Sequence, residues 1–111
     1  MILMKGGGLL IVRTTPTHTF NIPFDISIVA KFRVIYAQND DVLFVKTEND
    51  EGCGLEDNRI IVFLKEEETC KVDHKKPLEV QIRILTTDGS KLATVPKRIG
   101  VTKCLEDVMF E

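Results

Sequence analysis

The side chains suited to catalysis or metal binding are few and scattered. His18 and His74 are the only histidines, and neither has a cysteine or histidine at the short spacing a zinc site needs. Both read as surface histidines. Ser27 falls within an alternating stretch. Ser90 follows Asp88-Gly89, where a turn favours a small polar residue, and no G-x-S-x-G elbow is present. Gly52 and Gly54 flank Cys53 and leave its thiol accessible. Glu48, Asp50, Glu51, Glu56 and Asp57 surround it in sequence, and their charge raises a thiol pKa and disfavours the thiolate. These carboxylates, with Glu66 to Glu68, have the chemistry to hold calcium or move protons. They lack the alternate-residue ligands of an EF-hand and read as a solvated loop. Gly6-Gly7-Gly8 has no strand before it and no helix after it, so it reads as a tether, not a phosphate cradle. The residues point to no enzyme, no metal and no cofactor.

Composition narrows the field further. A chain of 111 residues, 43% hydrophobic and 29% charged, is globular and of single-domain size. Fifteen basic against seventeen acidic residues give a net charge of −2, which argues against a broad phosphate footprint and so against nucleic acid. One tyrosine, Tyr36, and no tryptophan leave little for stacking bases or sugars. Three cysteines, Cys53, Cys70 and Cys104, are an odd number in a chain able to bury its own core, so free thiols are expected. The apolar start, Met1 to Met4, is broken by Lys5 and the glycines, unlike a secretory signal. No stretch approaches the roughly 20 apolar residues of a membrane span. A protein made in the cytoplasm and away from membranes is expected.

The elements must come from the dominant period, which is two. From 26 to 38, Ile26, Ile28, Ala30, Phe32, Val34 and Tyr36 share one face, so the spacing predicts one long strand with a bend or bulge near Ala30. Asn39-Asp40-Asp41 supplies turn chemistry and leads into a strand over 42–47, a hairpin. Residues 48–58 read as a loop. Ile60, Val62 and Leu64 mark a strand over 59–64, and 65–69 has room for one helical turn. Leu78, Val80, Ile82 and Ile84 mark a strand over 78–86, which Asp88-Gly89 turns back into a short strand over 91–95. Pro96 and Pro23 suit edges or bends. Further strands are expected over 99–104, 17–24 and 9–12. Seven or eight strands, no long helix and short connections predict an all-β, mainly antiparallel two-sheet sandwich. The reading divides the chain into residues 1–12, flexible or strand-donating, and a single domain over 13–111.

Several stretches carry a family resemblance. Arg13-Thr14-Thr15-Pro16-Thr17-His18-Thr19-Phe20 is similar to an opening in which a Gly-Thr-Thr-Pro turn runs into the first strand, with Arg13 at the glycine position. Tyr36-Ala37-Gln38 ends a long strand before a hairpin. Asp57-Asn58-Arg59-Ile60 leads to Leu64 and Glu66-Glu67-Glu68-Thr69, and Val80-Gln81-Ile82-Arg83 precedes the Thr87-Asp88-Gly89 turn. Over residues 13–107 the chain resembles short β-sandwich proteins of bacteriophages and prophages of Gram-positive bacteria. These are similar to the immunoglobulin-like amino-terminal modules of phage baseplate and tail proteins. The resemblance implies an immunoglobulin-like sandwich and a non-enzymatic structural or assembly role in a tail, baseplate or neck. It implies partners that are other phage structural proteins or copies of this chain, with incorporation into the virion. It supplies no active-site residues.

Two functional classes follow. The first is a protein-contact module whose candidate contact residues are Phe63, Leu9, Leu10, Ile11 and Val12. Phe63 falls opposite Ile60, Val62 and Leu64 in its strand and suits either an exposed anchor or a second buried face. Residues 9–12 could add a strand to a neighbour. The alternative is a module for host-surface glycans, which the scarcity of aromatic residues disfavours.

Overall fold

The computed structural model describes residues 3–5 and 9–105, with side chains described from Leu10 to Leu105. The described residues form ten strands: β1 Leu3–Lys5, β2 Leu9–Ile11, β3 Thr17–Asn21, β4 Val29–Gln38, β5 Asp41–Thr47, β6 Gly54–Glu56, β7 Arg59–Phe63, β8 Leu78–Thr86, β9 Lys91–Ala93 and β10 Lys97–Thr102. A four-residue helix, α1 Glu66–Thr69, and a 3-10 turn over Ile26–Ile28 complete the elements. The chain is an all-β sandwich of two sheets. One sheet has the order β1-β3-β7-β6 and the other β2-β10-β8-β4-β5, with β9 also paired to β8. Every pairing is antiparallel except β2 with β10.

The count exceeds seven or eight because two strands are interrupted. β9 and β10 lie along one side of β8, separated around Pro96, which has no N–H to give a ladder. β1 and β2 pair in different sheets on either side of the three glycines. With each pair counted once, eight strands remain.

Alternation decides what the sheets enclose. Phe32, Val34 and Tyr36 of β4 meet Leu78, Val80, Ile82 and Ile84 of β8, and across the sandwich Phe20, Ile60, Val62 and Leu64. All belong to one buried cluster, which removes their apolar area from water. The long strand expected over 26–38 is shorter. Asp25 caps the 3-10 turn by accepting a hydrogen bond from the Ser27 N–H, and its register with β8 shifts between Val29 and Lys31. Ile28 and Ala30 are therefore exposed instead of sharing the inner face with Phe32. The expected loop over 48–58 contains β6. Asp57 and Asn58, at φ 51° and 58°, turn it into β7, as Asn39 and Asp40, at 49° and 67°, join β4 to β5. Paired left-handed residues of this kind match the twist of a two-residue hairpin.

Gly52 is the glycine that packing requires. Its φ is +74°, and a Cβ there would stand 2.7 Å from the Cβ of Phe63. That atom belongs to the root of a side chain on a sheet strand and cannot swing away. We expect Gly52→Ala to cost about 2 kcal/mol, from left-handed backbone plus overpacking. Urea unfolding of the variant checks this, and a midpoint equal to wild type would contradict it.

Candidate functional site

The interior holds polar side chains, among them His18, Tyr36 and Lys46. His18 on β3 and Tyr36 on β4 are both buried, and the His18 Nδ1 and Tyr36 Oη lie 2.7 Å apart in a hydrogen bond. The Tyr36 ring stacks on Phe44 at 4.7 Å between centroids. Lys46 sits on the inward parity of β5, two residues after Phe44, and is 1% exposed. Its Nζ donates to Glu68 Oε1 at 2.7 Å and Oε2 at 3.0 Å. Glu68 Oε1 also accepts the Lys65 N–H at 2.9 Å, so one carboxylate neutralises the buried ammonium and caps α1. Burial pushes the Tyr36 hydroxyl far above the ordinary phenol range, and negative charge on Cys53 and Glu68 adds to this.

Cys53 borders this group. Burial comes first in holding its thiol above the ordinary range, with Asp50 and Glu68 contributing. The Phe63 backbone and the charge of Lys46 act the other way. The thiol stays protonated near neutrality and is a poor nucleophile. We expect Cys53 to alkylate more slowly at pH 8 than a free model thiol. Mass spectrometry of iodoacetamide-treated protein measures this, and labelling at the free-thiol rate would contradict it.

The second constellation lies on the opposite, solvent-facing side of the larger sheet. Residues whose neighbours point into the core here point outward: Lys31 and Arg33 on β4, Arg83 and Leu85 on β8, and Thr47 on β5. With Glu48, Asn49, Lys91 and Leu92 they line an open pocket of about 350 Å³. Arg33 stands directly opposite Arg83 in the antiparallel ladder, and Lys31 and Lys91 stand on either side of Leu85. Four cations thus face one carboxylate. That carboxylate, Glu48, accepts the Phe32 N–H at 2.8 Å and extends the β4–β5 ladder by one bond. Among the described residues, none of the four cations has a carboxylate within 4.0 Å. Beyond Arg33 the same face continues through Ile35 and Val45, which are paired across the strands and only partly covered.

The residues singled out from sequence do not converge. Leu10 and Val12 are buried in the core, Ile11 is 40% exposed, and the β2 backbone from Leu9 pairs in parallel with β10. The Leu9 side chain lies outside the described residues. Of the segment 1–12, set apart above as flexible or strand-donating, residues 3–5 and 9–11 pair within the chain's own sheets. Deleting it would remove two core side chains, so deletion cannot separate a contact role from folding. Phe63 points to the outer side of the smaller sheet and is partly covered by the Gly52–Cys53 segment.

His18 is a core residue, not the surface histidine expected, because it falls on the buried parity of β3 with Phe20. His74, Ser27 and Ser90 are exposed and lie on separate turns. Cys53, Cys70 and Cys104 form no disulfide with one another. No group of three His, Cys, Asp or Glu among the described residues could hold a metal ion. The acidic loop is spent on structure: Asp50 accepts the Thr47 N–H at 2.6 Å, and Glu48 and Glu68 are engaged as described. No helix among the described residues is long and apolar enough to cross a membrane.

The sequence reading missed Lys46 and the outer pocket. The parity of Lys46 with Phe44 marks it as inward. Nothing local marks Arg33 and Arg83 as neighbours, since their contact depends on the register of two strands 50 residues apart. Compared with protein-family models, the chain matches none, and comparison with curated proteins gives no match.

Proposed function

We propose that the chain is a non-enzymatic binding module that docks into a larger assembly through the outer face of its six-stranded sheet. The assembly is a phage or prophage tail, baseplate or neck, made of other structural proteins or further copies of this chain. The chain is made in the bacterial host cytoplasm and carried into the particle. The observation that carries the docking reading is the Arg33–Arg83 pair. Two like charges directly opposite in a ladder destabilise a sheet, and here no carboxylate of the described residues offsets them. A partner that brings the missing negative charge gives that arrangement a use. The half-covered Ile35 and Val45 beside it add apolar contact. The phage assignment rests on the resemblance of residues 13–107.

The glycan alternative lacks the stacking ring such sites use. Tyr36 is fully buried, and the one aromatic residue lining the pocket, Phe32, is 1% exposed. Quantitative mass spectrometry of purified particles from the phage or lysogen that encodes the chain tests the assembly reading. The expected result is a fixed copy number per particle. Absence from particles and their assembly intermediates, with binding to a glycan array, would overturn it.

A further inference from the structure

We propose that the outer pocket receives an extended acidic segment of the partner protein, with carboxylates at alternate residues. This rests on the docking reading above and names its ligand. The spacing carries it. Arg33 and Arg83 form one cross-strand row, and Lys31, Leu85 and Lys91 form the next, two residues along β4 and β8. Rows two residues apart in a strand are about 6.7 Å apart. Side chains at i and i+2 of an extended peptide lie on one face with that same separation. A peptide laid along the sheet therefore brings one carboxylate to the arginine pair and the next to the two lysines.

The chemistry of the two rows differs usefully. Paired guanidinium groups offer planar forks that can hold a carboxylate through two parallel bonds. The lysines are mobile point charges and tolerate looser placement. Thr47, directly across from Arg33 on β5, and Asn49 add neutral donors at the rim. Leu85 between the lysines, with Leu92 at 41% exposure, gives the spacer residue an apolar contact. An exposed aromatic ring, which a sugar would use, is missing from the pocket lining. Glu48, the single carboxylate, is held by the Phe32 N–H and does not fill the arginine row.

The test is a titration of the whole chain with an acetylated Gly-Glu-Thr-Glu-Thr-Glu-Gly peptide, followed by NMR or calorimetry at low ionic strength. Parallel titrations use the same peptide with glutamine for glutamate, and a sulfated oligosaccharide as a generic polyanion. The variant is R33Q/R83Q, whose two side chains are exposed and whose folding is checked by circular dichroism. The inference expects the glutamate peptide to bind and the glutamine peptide not to. It expects R33Q/R83Q to bind at least about tenfold more weakly, and binding to fade as salt rises. Equal binding by wild type and variant would overturn it, as would binding of the sulfated oligosaccharide alone. Particle incorporation of the wild-type chain is read separately. A chain present in particles that ignores the peptide removes this inference and leaves the assembly reading standing. A chain that binds the peptide but never enters a particle does the reverse.

Discussion

Replacing Glu68 by alanine will cost the fold about 3–5 kcal/mol, because it leaves a buried ammonium with no counter-charge. Lys46 is 1% exposed, and Glu68 is its charged partner at 2.7 Å and 3.0 Å. The same oxygen that meets Lys46 also accepts the Lys65 N–H, so alanine uncaps α1 as well. A domain of this size has about 5–15 kcal/mol in hand, and the loss is a large share of it. Glu68→Gln is expected to be milder, since its amide oxygen can still accept the Lys65 N–H. The double variant K46M/E68Q should recover most of the loss, since removing both charges from an interior is often neutral or stabilising. Urea unfolding of the three variants provides the comparison. A Glu68→Ala midpoint near wild type would show that the ammonium is solvated in solution.

Tyr36→Ala is expected to cost about 3–5 kcal/mol, the usual range for deleting a fully buried aromatic ring. The ring is 0% exposed, stacks on Phe44 and joins β4 to β3 through His18. Tyr36→Phe keeps the ring and removes the hydrogen bond, for about 1–2 kcal/mol. The two variants also differ from wild type in their response to alkali. Burial raises the Tyr36 pKa in the folded state above that of the unfolded chain. The folded state therefore holds the phenolic proton more tightly. That stability is fully present below about pH 10, the unfolded tyrosine pKa, and is lost as pH rises beyond it. Phenylalanine has no proton to lose. The stability gap between wild type and Tyr36→Phe should narrow above pH 10, and a constant gap would contradict the buried-hydroxyl account.

Much of the frame was legible because it depends on local signals. The alternation of Leu78, Val80, Ile82 and Ile84 gives β8 to the residue, and Asn39-Asp40 is the turn that closes β4 on β5. Two errors came from trusting local signals too far. Ile28 fits the inner parity of β4, yet Asp25 caps a 3-10 turn that takes it out of the strand. Residues 48–58 look like a polar loop, and β6 has little apolar content to betray it, since its pairing with β7 comes from the Asp57-Asn58 turn. The arginine pair was illegible for a different reason. Arg33 and Arg83 each look like an ordinary solvent-facing residue, and only the β4–β8 register makes them neighbours. His18 had a signal that went unused, namely its parity with Phe20. The near-neutral net charge also concealed a local excess of positive charge, because eight of the seventeen acidic residues fall in the 48–57 loop and α1.

Hydroxyl-radical footprinting of the chain, free and in the assembled particle, tests most directly the claim that the outer face of the six-stranded sheet is the docking surface. Protection on assembly is expected at Ile35, Val45, Leu85 and Leu92, with Phe63 and Ile61 on the opposite sheet as reactive as in the free chain. Protection confined to Phe63 and Ile61, with the four residues around the pocket unchanged, would contradict it.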